Sequence, residues 1–169
     1  IFVVDIKNAT VVMEFIEGKQ IKQLLGNLSK KEREEMCVRI GELIGKLHMH
    51  GVIHGDLTTS NMILSSEDKI FFVDFGLGEK TMELEARGVD LHLMKRALQS
   101  THLPFAEDCF ETVMRGYSAV LGSEETGKVL GKIREIERRG RYVAERREEN
   151  WHERTYTVKE ADGKVIVDS

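Results

Sequence analysis

His54, Asp56, Asn61 and Asp74 carry the side chains whose types and spacing could do chemistry. They fall in two strings: His54-Gly-Asp56 with Asn61 behind it, then Asp74-Phe-Gly76. Asn61 follows Asp56 by five positions, and Asp74 follows Asp56 by 18. A loop brings Asp56 and Asn61 to one mouth, and a β-hairpin after them returns Asp74 to the same place. Together they offer Mg²⁺ the carboxylate and amide oxygens it prefers, alongside water. They also leave a carboxylate free to take a nucleophile's proton. Phosphoryl transfer needs those parts and little else, because its catalysis is mostly positioning and charge neutralisation.

Taken singly, each of these residues also suits a turn, since Asp and Asn favour turns. The joint pattern with His54 and Phe75-Gly76 carries the functional reading. His54 reads as structural, holding the loop by packing and hydrogen bonds. Thr58, Thr59 and Ser60 read as loop structure before phosphate contacts. His48 and His50 fall at a helix end, where positive charge is mildly favoured, and no histidine metal site is expected.

The elements that must position this set follow from periodicity and turn signals. Phe2 to Asp5 and Thr10 to Phe15 are β-rich runs around a turn-like Lys7-Asn8, and predict a hairpin. Gln20 to Leu25 reads as one short helix. Ser29 and Glu32 fit a capping box; behind them Met36, Ile40, Leu43, Ile44 and Leu47 repeat at helical spacing, up to Gly51. Gly51 to Asn61 is a polar loop. Met62 to Leu64 and Ile70 to Val73 make the small hairpin. A helix from about Ala86 to Ser100 puts Val89, Leu93, Met94 and Ala97 on one core face. Pro104 suits the first turn of the next helix, which carries Phe110, Val113, Met114, Tyr117 and Leu121. A last helix, capped by Ser123, runs to about Glu149. Asp162-Gly163 between β-prone runs signals a closing hairpin or a tail.

Composition sets the bounds. The 169 residues include 41% hydrophobic and 32% charged side chains, enough for a packed core and against wholesale disorder. No apolar run is long enough to span a membrane. A net charge of −4 argues against indiscriminate nucleic-acid binding. Cys37 and Cys109 read as buried reduced thiols, which points to a reducing, cytoplasmic compartment. The start at Ile1, inside a strand, predicts a piece of a longer reading frame.

His54-Gly-Asp-Leu-Thr-Thr-Ser-Asn61 followed by Asp74-Phe-Gly76 resembles the catalytic and metal-binding loops of the protein-kinase fold. More narrowly, Gly51 to Asn61, Val73-Asp-Phe-Gly-Leu-Gly78 and Gly88-Val-Asp-Leu91 resemble the small p53-related kinase family. That family supplies the kinase-like ATPase subunit of the KEOPS complex, which makes threonylcarbamoyladenosine on tRNA. The resemblance covers about residues 1 to 147. It implies an α+β, protein-kinase-like fold: a remnant of the N-lobe and hinge at 1–18, a mostly helical C-lobe at 19–149, and a hairpin or tail at 150–169. It implies ATP and Mg²⁺ as cofactors, with Asp56 as the catalytic aspartate and Asn61 and Asp74 as metal ligands. Met13 matches the residue gating the adenine pocket. The Glu14 carbonyl and Ile16 amide match the hinge groups that pair with adenine, and Asp90 matches an aspartate bracing the catalytic loop.

Departures from the wider kinase pattern narrow the reading. Gly55 stands where kinases switched by loop phosphorylation carry Arg, and Thr58 stands where many carry a transfer-assisting lysine. Only a short stretch separates Gly76 from Asp90. Slow kinase or ATPase behaviour is expected rather than efficient protein phosphorylation. The glycine-rich loop, the phosphate-binding lysine and its glutamate partner are expected upstream of Ile1, so residues 1–169 alone are expected to be close to inactive. Two alternatives stay open: a small-molecule phosphotransferase of the aminoglycoside or choline kinase type, and a non-catalytic pseudokinase docking module. The basic run of Lys132, Arg134, Arg138, Arg139, Arg141, Arg146 and Arg147 interleaves with glutamates and reads as a solvated helix. The resemblance adds a second reading, docking on tRNA through Arg138, Arg139, Arg141, Arg146 and Arg147, or on the tRNA-modifying partner enzyme and other KEOPS subunits.

Overall fold

The computed structural model describes the backbone of residues 1–155 and the side chains of residues 1–140. Strands β1 (Val3–Asp5) and β2 (Thr10–Val12) form an antiparallel hairpin with Val4 opposite Val11. Asp5 closes its turn by accepting from the Asn8 amide and side chain at 3.2 and 2.8 Å. An extended stretch leads to β3 (Gly18–Gln20), α1 (Ile21–Leu24) and a 3₁₀ turn at Leu25–Asn27. The single helix expected over Gln20 to Leu25 is thus split. Gln20 belongs to a strand, because β3 pairs with β5 (Met62–Ser65), Lys19 lying opposite Leu64.

Helix α2 (Lys30–Met49) begins as its capping box dictates: Ser29 Oγ accepts from the Glu32 amide, and Glu32 accepts from the Ser29 amide at 2.8 Å. After it, β4 (Val52–Ile53), a 3₁₀ turn at Thr59–Asn61, β5, β6 (Ile70–Phe72) and β7 (Glu79–Lys80) follow in order. The stretch read as one polar loop therefore contains a strand. β4 pairs with β7, and β5 sits between β3 and β6 in a three-stranded sheet. These two small sheets frame the loop that carries Asp56 and Asn61.

Helices α3 (Leu84–Thr101), α4 (Ala106–Leu121) and α5 (Ser123–Thr155) complete the described chain. Pro104 lies in a 3₁₀ turn just ahead of α4, at Leu103–Phe105. Ser123 is the first residue of α5 rather than its cap. That helix runs through Thr155, past the expected end at Glu149, so residues 150–155 belong to it. The closing hairpin expected around Asp162-Gly163 lies outside the described residues.

The core sits where α2 and α4 cross. Ile40, Ile44, Val113 and Tyr117 are fully buried there, joined by Leu91, Met94 and Leu98 of α3 and by Val129 and Ile133 of α5. Each such aliphatic side chain contributes about 1.5–3 kcal/mol by leaving water. Two glycines permit the close crossing: a Cβ on Gly41 would lie 1.9 Å from the Val113 carbonyl oxygen, and one on Gly116 2.1 Å from that of Val38. On α3 the core face overlaps the one read from spacing at Met94, with Leu93 and Ala97 half-buried. Leu91, Met94 and Leu98 face inward while Val89 is 40% exposed, because α5 and α4 pack on the side that also buries Arg87 and Asp90. Cys37 and Cys109 are both reduced and buried at the α2–α4 contact. The thiol contact with Cys109, and then burial, pushes the Cys37 thiol up.

Candidate active site

The loop after β4 is held from below by Asp90. Its two carboxylate oxygens accept the backbone amides of His54 and Gly55, each at 2.9 Å. A 1% exposed carboxylate needs such donors to be tolerated. Asp90 therefore occupies the bracing position that the resemblance implied.

His54 joins the two halves of the site. Its Nε2 lies 3.1 Å from the Val73 carbonyl, which can only accept, so Nε2 donates. Its Nδ1 then accepts from the Asp56 amide at 3.3 Å. The ring is fully buried and packs against Phe75, with centroids 4.4 Å apart. His54 is thus structural, as expected, and it ties Asp56 to the residue preceding Asp74.

Asn61 completes the tie. Its side-chain amide donates to the Asp56 carbonyl at 3.0 Å and to the Asp56 carboxylate at 2.9 Å. Its backbone carbonyl accepts from the Val73 amide at 3.0 Å. Both Nδ2 protons are used, so Oδ1 is the atom left to meet a cation. Asp74 adopts φ = 65°, a left-handed conformation that Asp tolerates better than most residues. Its carboxylate is exposed and accepts from the Gly76 amide at 3.4 Å. The donor set, one carboxylate and one amide oxygen, fits Mg²⁺, which takes few protein ligands and completes its shell with water and phosphate. Among the described residues no group of three or more His, Cys, Asp or Glu converges as a metal cage.

Gly55 is required by space. It sits at φ = 81°, and a Cβ there would lie 2.2 Å from the Leu77 carbonyl oxygen. The segment after Asp74 passes directly over the catalytic loop. Thr59 is buried and its hydroxyl lies 3.4 Å from His102 Nε2, while the Ser60 carbonyl accepts from Gln20 Nε2 at 3.0 Å. Thr59 and Ser60 thus serve loop structure. Burial holds His102 below the usual imidazole range.

The hinge candidates lie in the extended stretch between β2 and β3. Among the described residues, the Glu14 carbonyl and the Ile16 amide enter no backbone hydrogen bond, so both are available to a planar ligand. Met13 is 62% exposed and does not wall an enclosed pocket.

Sequence reading missed the supports. His48 was read with His50 as a charged helix end. In the structure His48 is fully buried, with Nε2 3.1 Å from Asp90 and Nδ1 3.0 Å from the Tyr117 hydroxyl. The available signal was an imidazole at the position where the apolar stripe of α2 continues, one turn beyond Ile44.

A core of helices carrying a catalytic loop braced by a buried aspartate, with a second carboxylate returned by a hairpin, defines a protein-kinase-like domain. Residues 2–98 match the protein kinase domain family. The chain belongs to that family. It is 52% identical over 151 residues to the KEOPS complex subunit Bud32 of Pyrococcus abyssi, a match covering 89% of this chain and 66% of that protein. It is 44% identical to a probable bifunctional tRNA threonylcarbamoyladenosine biosynthesis protein of Methanothermobacter thermautotrophicus, over 85% of this chain and 25% of the relative. A protein of the same description from Methanococcus vannielii is 41% identical, over 85% and 24%. The chain thus spans just under two thirds of the first relative and about a quarter of the other two.

Proposed function

We propose that this chain forms the catalytic lobe and hinge of an atypical serine/threonine kinase or ATPase that uses Mg-ATP to support threonylcarbamoyladenosine formation on tRNA. It would act with the tRNA-modifying enzyme and the other subunits of a KEOPS complex. The names of its relatives support that setting. The observation that carries the chemistry is the pair of hydrogen bonds that Asn61 donates to Asp56, with Asn61 also tied to Val73 beside Asp74.

In this reading the Glu14 carbonyl and the Ile16 amide hold the adenine edge. Asp74 and Asn61 Oδ1 would hold Mg²⁺, which would supply charge neutralisation at the phosphate oxygens. Asp56 orients water or a hydroxyl and takes its proton. The new bond forms between that oxygen and the γ-phosphorus, and the bond from the γ-phosphorus to the bridging oxygen breaks, releasing ADP. With Gly55 pinned under Leu77, the loop has no cationic side chain to read an activating phosphate, so the site stands ready without that switch.

The test is Mg-dependent ATP hydrolysis by the intact protein and by Asp74→Ala. Loss of nearly all metal-dependent turnover in the variant is expected, and wild-type turnover in it refutes the assignment.

A further inference from the structure

Tyr117 lies on α4, fully buried, yet its hydroxyl is part of a continuous polar line to the catalytic loop. The line runs from Tyr117 on α4 to His48 on α2, to Asp90 on α3, and to the backbone of His54 and Gly55. Tyr117 and His48 are fully buried and Asp90 is 1% exposed. The two rings meet edge to face, 80° apart, with centroids separated by 5.5 Å.

We propose that Tyr117 is a positioning residue for the catalytic loop, acting through the tautomer of His48; its effect on turnover rests on the phosphotransferase reading above. The directions are those of the neutral His48 tautomer that the proposal invokes. Asp90 accepts from two backbone amides and presents Oδ2 to His48 Nε2, so Nε2 carries a proton. A neutral His48 then has a bare lone pair on Nδ1, and the Tyr117 hydroxyl donates to it. Burial holds the Tyr117 phenol protonated, above its usual range. The partner of one ring nitrogen fixes the proton on the other.

Without the hydroxyl, Nδ1 becomes a buried acceptor with no donor, which is costly. Moving the proton to Nδ1 does not repair this, since it takes the donor away from Asp90. Either way Asp90 is held less firmly, and with it the amides of His54 and Gly55, which precede Asp56. The sequence offers Tyr117 only as one more residue on the apolar face of α4, and that face explains its ring but not its hydroxyl.

The test compares Tyr117→Phe with Val113→Ala, a buried change one turn away on the same helix that removes none of the hydrogen-bonding groups of the line. In ¹⁵N-labelled protein, Tyr117→Phe should shift the His54 and Gly55 amide resonances and the His48 ring nitrogens. Those two amides should also exchange with solvent faster. In the intact protein its kcat should fall about 3- to 10-fold, the size set by one buried hydrogen bond, with KM for ATP unchanged. Val113→Ala should lower stability and leave the loop amides in place. Unmoved loop amides in a folded Tyr117→Phe, or equal movement in Val113→Ala, overturn the proposal. If the wild-type protein shows no ATP turnover, the phosphotransferase reading fails, and the amide comparison still decides whether the relay exists.

Discussion

Asn61 gives both of its amide protons to Asp56, one to the carbonyl and one to the carboxylate, so its side-chain oxygen is the atom left for another partner. Spacing predicts that Asp56 and Asn61 meet at one mouth of the loop, whereas the use of both amide protons on Asp56 is seen only in the structure. Gly55 was not readable in the same way. The sequence shows a missing arginine, whereas the structure shows a backbone at φ = 81° with the Leu77 carbonyl directly above it. Gly55→Ala should therefore force the segment after Asp74 off the loop. The expected cost is about 1–3 kcal/mol in stability, with lower ATP turnover, measured by urea unfolding and steady-state hydrolysis. An alanine variant as stable and active as wild type would show that Leu77 can move freely.

At the scale of elements, the crossing of α2 and α4 anchors His48 and Tyr117, and two glycines make it possible. A methyl at Gly116 meets the Val38 carbonyl at 2.1 Å, and backbone cannot yield as a side-chain tip can. Gly116→Ala should lower stability by about 1–3 kcal/mol through this overpacking, read from the denaturant midpoint. An unchanged midpoint would place the helices farther apart than described. Periodicity found α2 and α4 correctly, since each has one dominant apolar stripe. On α3 it placed Met94 correctly and Val89 wrongly, because that helix touches neighbours on several sides. There Gly88 is crossed by Lys132 of α5, Asp90 supports the catalytic loop, and Val89 is left in solvent. Strands β3, β4 and β7 are two or three residues long and owe their form to pairing partners far away in sequence, which no local pattern reveals.

Across the whole molecule, charge is distributed by helix packing. Glu85 of α3 pairs with Lys132 of α5 at 3.1 Å and also with Arg139, so part of the basic run is neutralised against α3. Arg134 and Arg138 are exposed and, among the described residues, enter no ion pair, which keeps a binding role for this stretch open to experiment. Replacing Arg138, Arg139, Arg141, Arg146 and Arg147 with Ala in the intact protein should weaken tRNA binding and flatten its salt dependence, since fewer counterions are released. A docking role on the partner enzyme would instead leave tRNA affinity unchanged and reduce complex formation. No change in either affinity would make the run a solvated helix face.

The central claim is that Asp56, Asn61 and Asp74 form one Mg-ATP site, and the most direct test is Mg²⁺-dependent ATP binding and hydrolysis by the intact protein, wild type against Asp74→Ala. The wild type should bind ATP more tightly with Mg²⁺ than without, and the alanine variant should lose both this metal dependence and nearly all turnover while keeping its fold. A variant that retains Mg²⁺-dependent binding and wild-type turnover would contradict that claim.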